Sequence, residues 1–222
     1  MSRVDSFLAG NGLPSRAAYQ FMRGVCVAVC RLWNRLSIDG RQNVPKNGAF
    51  VLAPVHRSFL DTPISACVTR RRLRFMGKDA MWKYRAGGWL LSALGGFPVT
   101  RGTADRQALV RCIQVLQSGE PLVVFPEGER KSGPIVQPLF EGAAYVAVKA
   151  GVPIVPIGIG GSEHVMPKGS WIIRPRKLHV IVGPPISPVR EGMSARTAVR
   201  ELTAELHSEL QRLFDASQAR VG

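Results

Sequence analysis

Apolar residues follow two alternating rhythms along this chain. Short unbroken runs, each closed by a polar cluster, alternate with stretches in which apolar residues return every three or four positions. Phe50 to Val55, Leu122 to Pro126 and Ile154 to Ile159 are runs of the first kind and predict buried strands. Leu73 to Met76, Phe97 to Thr100 and Lys177 to Val182 predict three more. Between them, Ala80 to Leu94, Ala104 to Gln117 and Ala143 to Ala150 predict helices, the last two stopped by Gly119 and Gly151. Thr62-Pro63 suits a helix start, with Thr62 as N-cap and Pro63 at the first position. Ser194 caps a closing helix that lines up Val199, Leu202, Leu206, Leu210 and Leu213 on one face. This alternation predicts an α/β fold, a mostly parallel central sheet flanked by helices. In such sheets the ligand crevice lies beyond the carboxyl ends of the strands.

The amino-terminal stretch reads differently. Pro14 to Leu36 predicts one helix, with Arg16, Arg23, Arg31 and Arg35 within a single arc. Ala18, Phe21, Met22, Val25, Val29, Leu32, Trp33 and Leu36 take the other side. A basic stripe beside a broad apolar face is the pattern of a helix lying in a membrane interface. The alternative is a helix packed on the protein's own core with a solvated arginine face. The longest purely apolar run here, Val25 to Cys30, is far short of the roughly 20 residues that span a bilayer. Met1 to Arg16 lacks a basic region followed by an apolar block, so no secretory leader is expected. The turn-rich Asn43 to Gly48 follows. The expected organisation is therefore a membrane-associating helical segment over residues 1–38 and an α/β domain over residues 39–222.

Charge sharpens this picture: 30 Lys and Arg against 15 Asp and Glu give a net charge of +15, which attracts polyanions such as anionic lipid or nucleic acid. Cys26, Cys30, Cys67 and Cys112 form no C-x-x-C pair and no Cys/His cluster with zinc spacing, so they read as reduced packing residues and no metal is expected.

Three polar sequences sit at predicted strand ends. In His56-Arg57-Ser58-Phe59-Leu60-Asp61, a turn between strand and helix can fold Asp61 back beside His56. A carboxylate on one imidazole nitrogen fixes the tautomer and raises the basicity of the other, which can then accept a hydroxyl proton. A purely structural hydrogen bond is the plainer reading of the same spacing. Gly95 to Gly102 places Arg101, a planar fork suited to phosphate, at a strand end, and Lys78 can add charge to the same crevice; a solvated surface cation is the alternative for each, and the favoured reading for Lys83. In Phe125-Pro126-Glu127-Gly128-Glu129-Arg130, Gly128 lets the chain turn; Glu127 can hold a substrate hydroxyl and Arg130 a phosphate, or the two can form a loop ion pair. G-x-S-x-G, H-E-x-x-H and the G-x-x-x-x-G-K-[ST] phosphate loop are all missing. A lone loop histidine without a protein nucleophile favours direct attack by an acceptor hydroxyl.

Taken in order, His56 and Asp61 separated by four residues, Gly96 to Arg101, Phe125-Pro126-Glu127-Gly128 with Arg130, and Val152 to Ile157 resemble the four blocks of the PlsC-like 1-acylglycerol-3-phosphate acyltransferases. Glu129 stands where that family usually has Thr. The resemblance covers about residues 40–185. It implies an enzyme in which His56, held by Asp61, activates the hydroxyl of lysophosphatidic acid toward an acyl thioester, yielding phosphatidic acid. Glu127 and Gly128 would shape the acceptor site, while Arg101, Arg130 and Lys78 would bind phosphate. No cofactor is implied; acyl-CoA or acyl carrier protein serves as co-substrate. Anionic membrane lipids and a lysophospholipid acceptor are the implied partners, with no nucleic acid, at the cytoplasmic face of the inner (plasma) membrane. Two other readings stand beside this one: the same chemistry on glycerol-3-phosphate or another lysophospholipid, and a non-catalytic basic protein binding nucleic acid or membrane.

Overall fold

A computed structural model describes residues 12–99, 106–167 and 169–222. Its strands are β1 (Ser37–Asp39), β2 (Val51–Pro54), β3 (Arg74–Lys78), β4 (Gly96–Val99), β5 (Leu122–Val123), β6 (Ile154–Gly160) and β7 (His179–Val182). They form one sheet in the order β1-β7-β6-β2-β5-β3-β4. Neighbours from β6 to β4 run parallel; β7 is antiparallel to β6, and β1 is parallel to β7. The helices are α1 (Leu13–Leu32), α2 (Asp61–Cys67), α3 (Arg85–Ala93), α4 (Arg106–Gln117), α5 (Gly142–Ala150), α6 (Ser162–Val165) and α7 (Ala195–Gln218). The mostly parallel α/β architecture is the one the apolar rhythm predicts.

Central strands β2 and β6 are buried along their whole length, which explains their unbroken apolar sequences. The long helix α7 covers β6 with Leu202, Leu206, Leu210, Leu213 and Phe214. The approach is close enough that a Cβ on Gly158 or Gly160 would stand 2.3 Å from the carbonyl oxygens of Leu213 or Ser217. Those two glycines therefore set how tightly helix and strand can meet. Ser194 caps α7 as expected, its hydroxyl accepting from the Thr197 N–H.

Four local differences from the sequence reading have physical causes. Strand β1 was not expected; its three residues alternate in exposure and carry no apolar run. Ser37 and Ile38, grouped with the amino-terminal segment on sequence, thus belong to the sheet. The helix expected over 80–94 is broken, with a 3-10 turn at Asp79–Trp82 and an extended Tyr84 before α3. At α2 the first residue is Asp61, not Pro63, and Thr62 does not cap. The Asp61 carboxylate holds the amides of the preceding turn and so sets where the helix begins.

Candidate active site

The turn after β2 is built around one carboxylate. Asp61 is fully buried, and its Oδ2 accepts from the Arg57 and Ser58 N–H groups, each at 2.6 Å, and from His56 Nδ1 at 3.0 Å. With Nδ1–H committed to Asp61, Nε2 is left as the basic nitrogen. The imidazole stacks on Phe125 at 4.0 Å between centroids, while its side chain keeps 16% of its surface open. Ser58 secures the far side of the turn, its hydroxyl donating to the Met166 carbonyl at 2.8 Å. The geometry brings His56 and Asp61 together as the spacing suggested.

Glu127 leaves the end of β5 and faces inward. Its carboxylate has no exposed surface. Oε2 accepts from the His56 N–H at 2.9 Å and from Arg57 Nη1 at 2.8 Å; Oε1 accepts from Arg57 Nη1 at 2.8 Å and from the Gln137 N–H at 3.2 Å. Arg57 is equally enclosed: it donates to the carbonyls of His56, Gly133 and Ile135 and lies 4.8 Å above the Phe214 ring. Every acceptor direction of Glu127 is taken, which differs from the expected hold on a substrate hydroxyl. An ion pair does form, but with Arg57 rather than with loop neighbour Arg130. Burial is tolerated because the charges are paired and their remaining donors and acceptors are met.

Gly128 turns the loop outward at φ +72°, where a Cβ would stand 2.7 Å from the Phe140 ring. Beyond it, Glu129 pairs with Lys131 at 2.7 Å, so the acidic residue in the usual Thr position is answered by a cation other than Arg130. The Arg130 guanidinium lies 3.6 Å from the centroid of Phe59, a side chain of the His56 turn. Phe59 stacks in turn against Trp171 at 6.2 Å. Lys78 is exposed at the end of β3 and registers with Val99 of β4. Arg101, like Thr100 and Gly102, lies outside the described residues. Among those described, no group of three His, Cys, Asp or Glu side chains is placed to hold a metal ion.

Sequence reasoning missed Arg57, Phe59 and Phe125. Arg57 sat unnoticed between His56 and Ser58 because its partner is 70 residues away. The one available signal was a basic residue following a wholly apolar strand, where a buried acid elsewhere would have to match it.

The amino-terminal helix has its apolar side outward. Tyr19 and Cys30 are buried and Arg23 donates to the Ala66 and Thr69 carbonyls, whereas Phe21, Val25, Val29 and Leu32 are exposed, Leu32 by 84%. Among the described residues no helix is long and apolar enough to cross a membrane.

Parallel strands that deliver a histidine–carboxylate pair and a cationic loop to one rim define a class, and residues 35–160 match the family model described as Acyltransferase. The chain belongs to that acyltransferase family. It is similar to the chloroplastic 1-acyl-sn-glycerol-3-phosphate acyltransferase BAT2 of Brassica napus, 31% identical over 170 residues, 71% of this chain and 49% of that protein. The enzyme of the same activity name from Bacillus subtilis (strain 168) is 24% identical over 204 residues, 88% of this chain and 100% of that one. The crystal structure of the 1-acyl-sn-glycerophosphate acyltransferase PlsC from Thermotoga maritima matches with a TM-score of 0.72 and 25% identity, covering 94% of this chain and 86% of that chain. This chain spans about half the length of the plant relative.

Proposed function

We propose that this protein transfers a fatty acyl group from an acyl thioester, acyl-CoA or acyl carrier protein, to the free hydroxyl of lysophosphatidic acid at a membrane surface. The observation that carries the reading is the His56–Asp61 pair, with Nδ1 bound at 3.0 Å, Nε2 left basic and the ring partly open. His56 Nε2 takes the acceptor hydroxyl proton as the oxygen attacks the thioester carbonyl. The tetrahedral intermediate collapses with cleavage of the C–S bond, and the imidazolium returns the proton to the departing thiolate. Asp61 holds the tautomer and stabilises the imidazolium. The relatives named above as acting on 1-acyl-sn-glycerol-3-phosphate support the acceptor, and no cofactor enters these steps.

Arg130 and Lys78, with Arg101, supply the phosphate cradle. Gly128 keeps that loop turned toward the acceptor. Glu127 acts as a positioning residue: with Arg57 it fastens the start of the His56 turn to the end of β5. The exposed stripe of α1 fits the acyl boundary of an anionic bilayer, and its arginines fit the headgroups. A peripheral position at the cytoplasmic face of the inner membrane suits the free thiols of the four cysteines.

Thiol release from acyl-CoA in the presence of lysophosphatidic acid tests the reading. His56→Ala is expected to lose about a thousandfold in turnover, within the usual range for a general base, with unchanged circular dichroism. A folded His56→Ala protein that turns over at the wild-type rate would remove the histidine from this role. A panel with glycerol-3-phosphate and other lysophospholipids separates the acceptors.

A further inference from the structure

The described residues between α6 and β7 form no regular structure, yet the segment is firmly tied down. Asn34 Nδ2 donates to the carbonyls of Arg174 and Arg176 at 2.8 and 3.1 Å, Trp33 Nε1 donates to the Ile173 carbonyl at 3.0 Å, and the Arg174 N–H donates to the Val165 carbonyl. The loop is thus fastened through its own backbone to the carboxyl end of α1. Met166 and Leu178 at its two ends are buried, whereas the side chains at its tip are left to the outside. Trp171 is 86% exposed and Ile172 72%, an unusual state for two large apolar residues in sequence. Arg174, Arg176 and Lys177 follow within five residues, all exposed. No ion pair engages any of the three among the described residues. Together with His164 they line a cleft of about 330 Å³. On its other flank the loop touches the active-site turn, since Trp171 stacks on Phe59, which carries Arg130.

An aromatic–aliphatic tip followed by unpaired cations matches an anionic bilayer surface in both chemistry and order: acyl boundary first, phosphate layer next. We propose that this loop is a second bilayer contact, separate from α1. Trp171 and Ile172 enter the acyl boundary, and Arg174, Arg176 and Lys177 seat an anionic lipid headgroup in the cleft. The two contacts share one platform through Trp33 and Asn34. The loop's position beside Phe59 brings the headgroup layer to the rim that carries His56. This inference rests on the reading of the chain as a membrane-surface enzyme.

Vesicle co-sedimentation of the full chain tests it, using phosphatidylcholine alone and phosphatidylcholine with a quarter phosphatidylglycerol. Ile172→Asp is expected to weaken binding to the mixed vesicles about tenfold. Arg174→Ala/Arg176→Ala/Lys177→Ala is expected to lose about a hundredfold on mixed vesicles and little on neutral ones. Because the loop is held by backbone groups, both variants keep the wild-type circular dichroism and thermal midpoint. Wild-type partition by both folded variants would overturn the loop contact while leaving α1 as the docking element. An equal loss on both vesicle types by the triple variant would overturn the headgroup site. If the wild-type chain itself fails to sediment with either vesicle, the membrane-surface reading falls, and this inference with it.

Discussion

The turn that carries His56 and the rim that surrounds it treat charge in opposite ways. In the turn, carboxylates meet internal donors: Asp61 Oδ2 has three, while its buried Oδ1 has none, and Glu127 is enclosed by Arg57 and two amides. On the rim, cations are left without acids: Arg130 rests on a phenyl ring, and Lys78, Arg174, Arg176 and Lys177 have no ion pair among the described residues. The first arrangement fixes one imidazole in one orientation. The second leaves positive charge for an anion from outside. The proposed function, which needs a rigidly held base and an open place for a phosphate, calls for both arrangements, and from Glu127 to Arg130 they are separated by only a few residues.

Breaking the enclosed half should have the largest consequences. Glu127→Ala strands Arg57 in the interior and is expected to cost about 3–5 kcal/mol of stability, the usual result of removing one partner from a buried pair. Urea denaturation would register it, with transfer activity lost in parallel. A Glu127→Ala protein with the wild-type midpoint would mean that the pair is not structural. Asp61→Asn should leave the fold nearly intact and lower turnover by roughly a hundred- to a thousandfold, about 3–4 kcal/mol on the barrier, because the tautomer is no longer dictated. Gly158→Ala is a control away from the site: its methyl would press on the α7 backbone, and about 1–3 kcal/mol of destabilisation is expected without a change in KM.

The open half calls for a different signature. Arg130→Ala should raise KM for lysophosphatidic acid about tenfold with little change in kcat, and a phosphate-free monoacylglycerol should be handled equally by both proteins. A loss confined to kcat would contradict its assignment to the rim.

The smallest effect concerns His179 at the start of β7. Burial depresses its pKa below 6.5, against an opposing pull from Asp39. The unfolded chain therefore binds the proton more readily than the native protein. Stability is complete above about pH 6.5 and declines as pH falls below it. His179→Gln should flatten that decline between pH 7 and 5 in a thermal-melt series.

Much of the fold could be read from sequence because burial leaves a pattern. The unbroken apolar run of β6 and the leucine spacing of α7 are direct consequences of enclosure on two faces and on one. Strand β1 left no such trace, since three residues at a sheet edge need no apolar run. The His56–Asp61 pair was legible because the turn is local. The Glu127–Arg57 pair was not: nothing in Phe125 to Arg130 tells which arginine its acid will meet, and the nearer one proved to be facing an aromatic ring instead. For α1 the stripe itself was readable, but only tertiary packing decides that its apolar side looks outward.

One reversal in the sheet shapes the whole arrangement. Because β7 runs against β6, the chain comes off β6 and goes back into the sheet along the same border, so the intervening eighteen residues never travel to the far end. Strand β1, aligned with β7, starts at that border too and brings the tail of α1 with it. Had β7 followed its neighbours' direction, a crossover would have carried this stretch to the opposite pole. Flipping two strands at one edge is thus what allows one border of the sheet to carry the His56 turn, the tryptophan loop and the carboxyl end of the amino-terminal helix together.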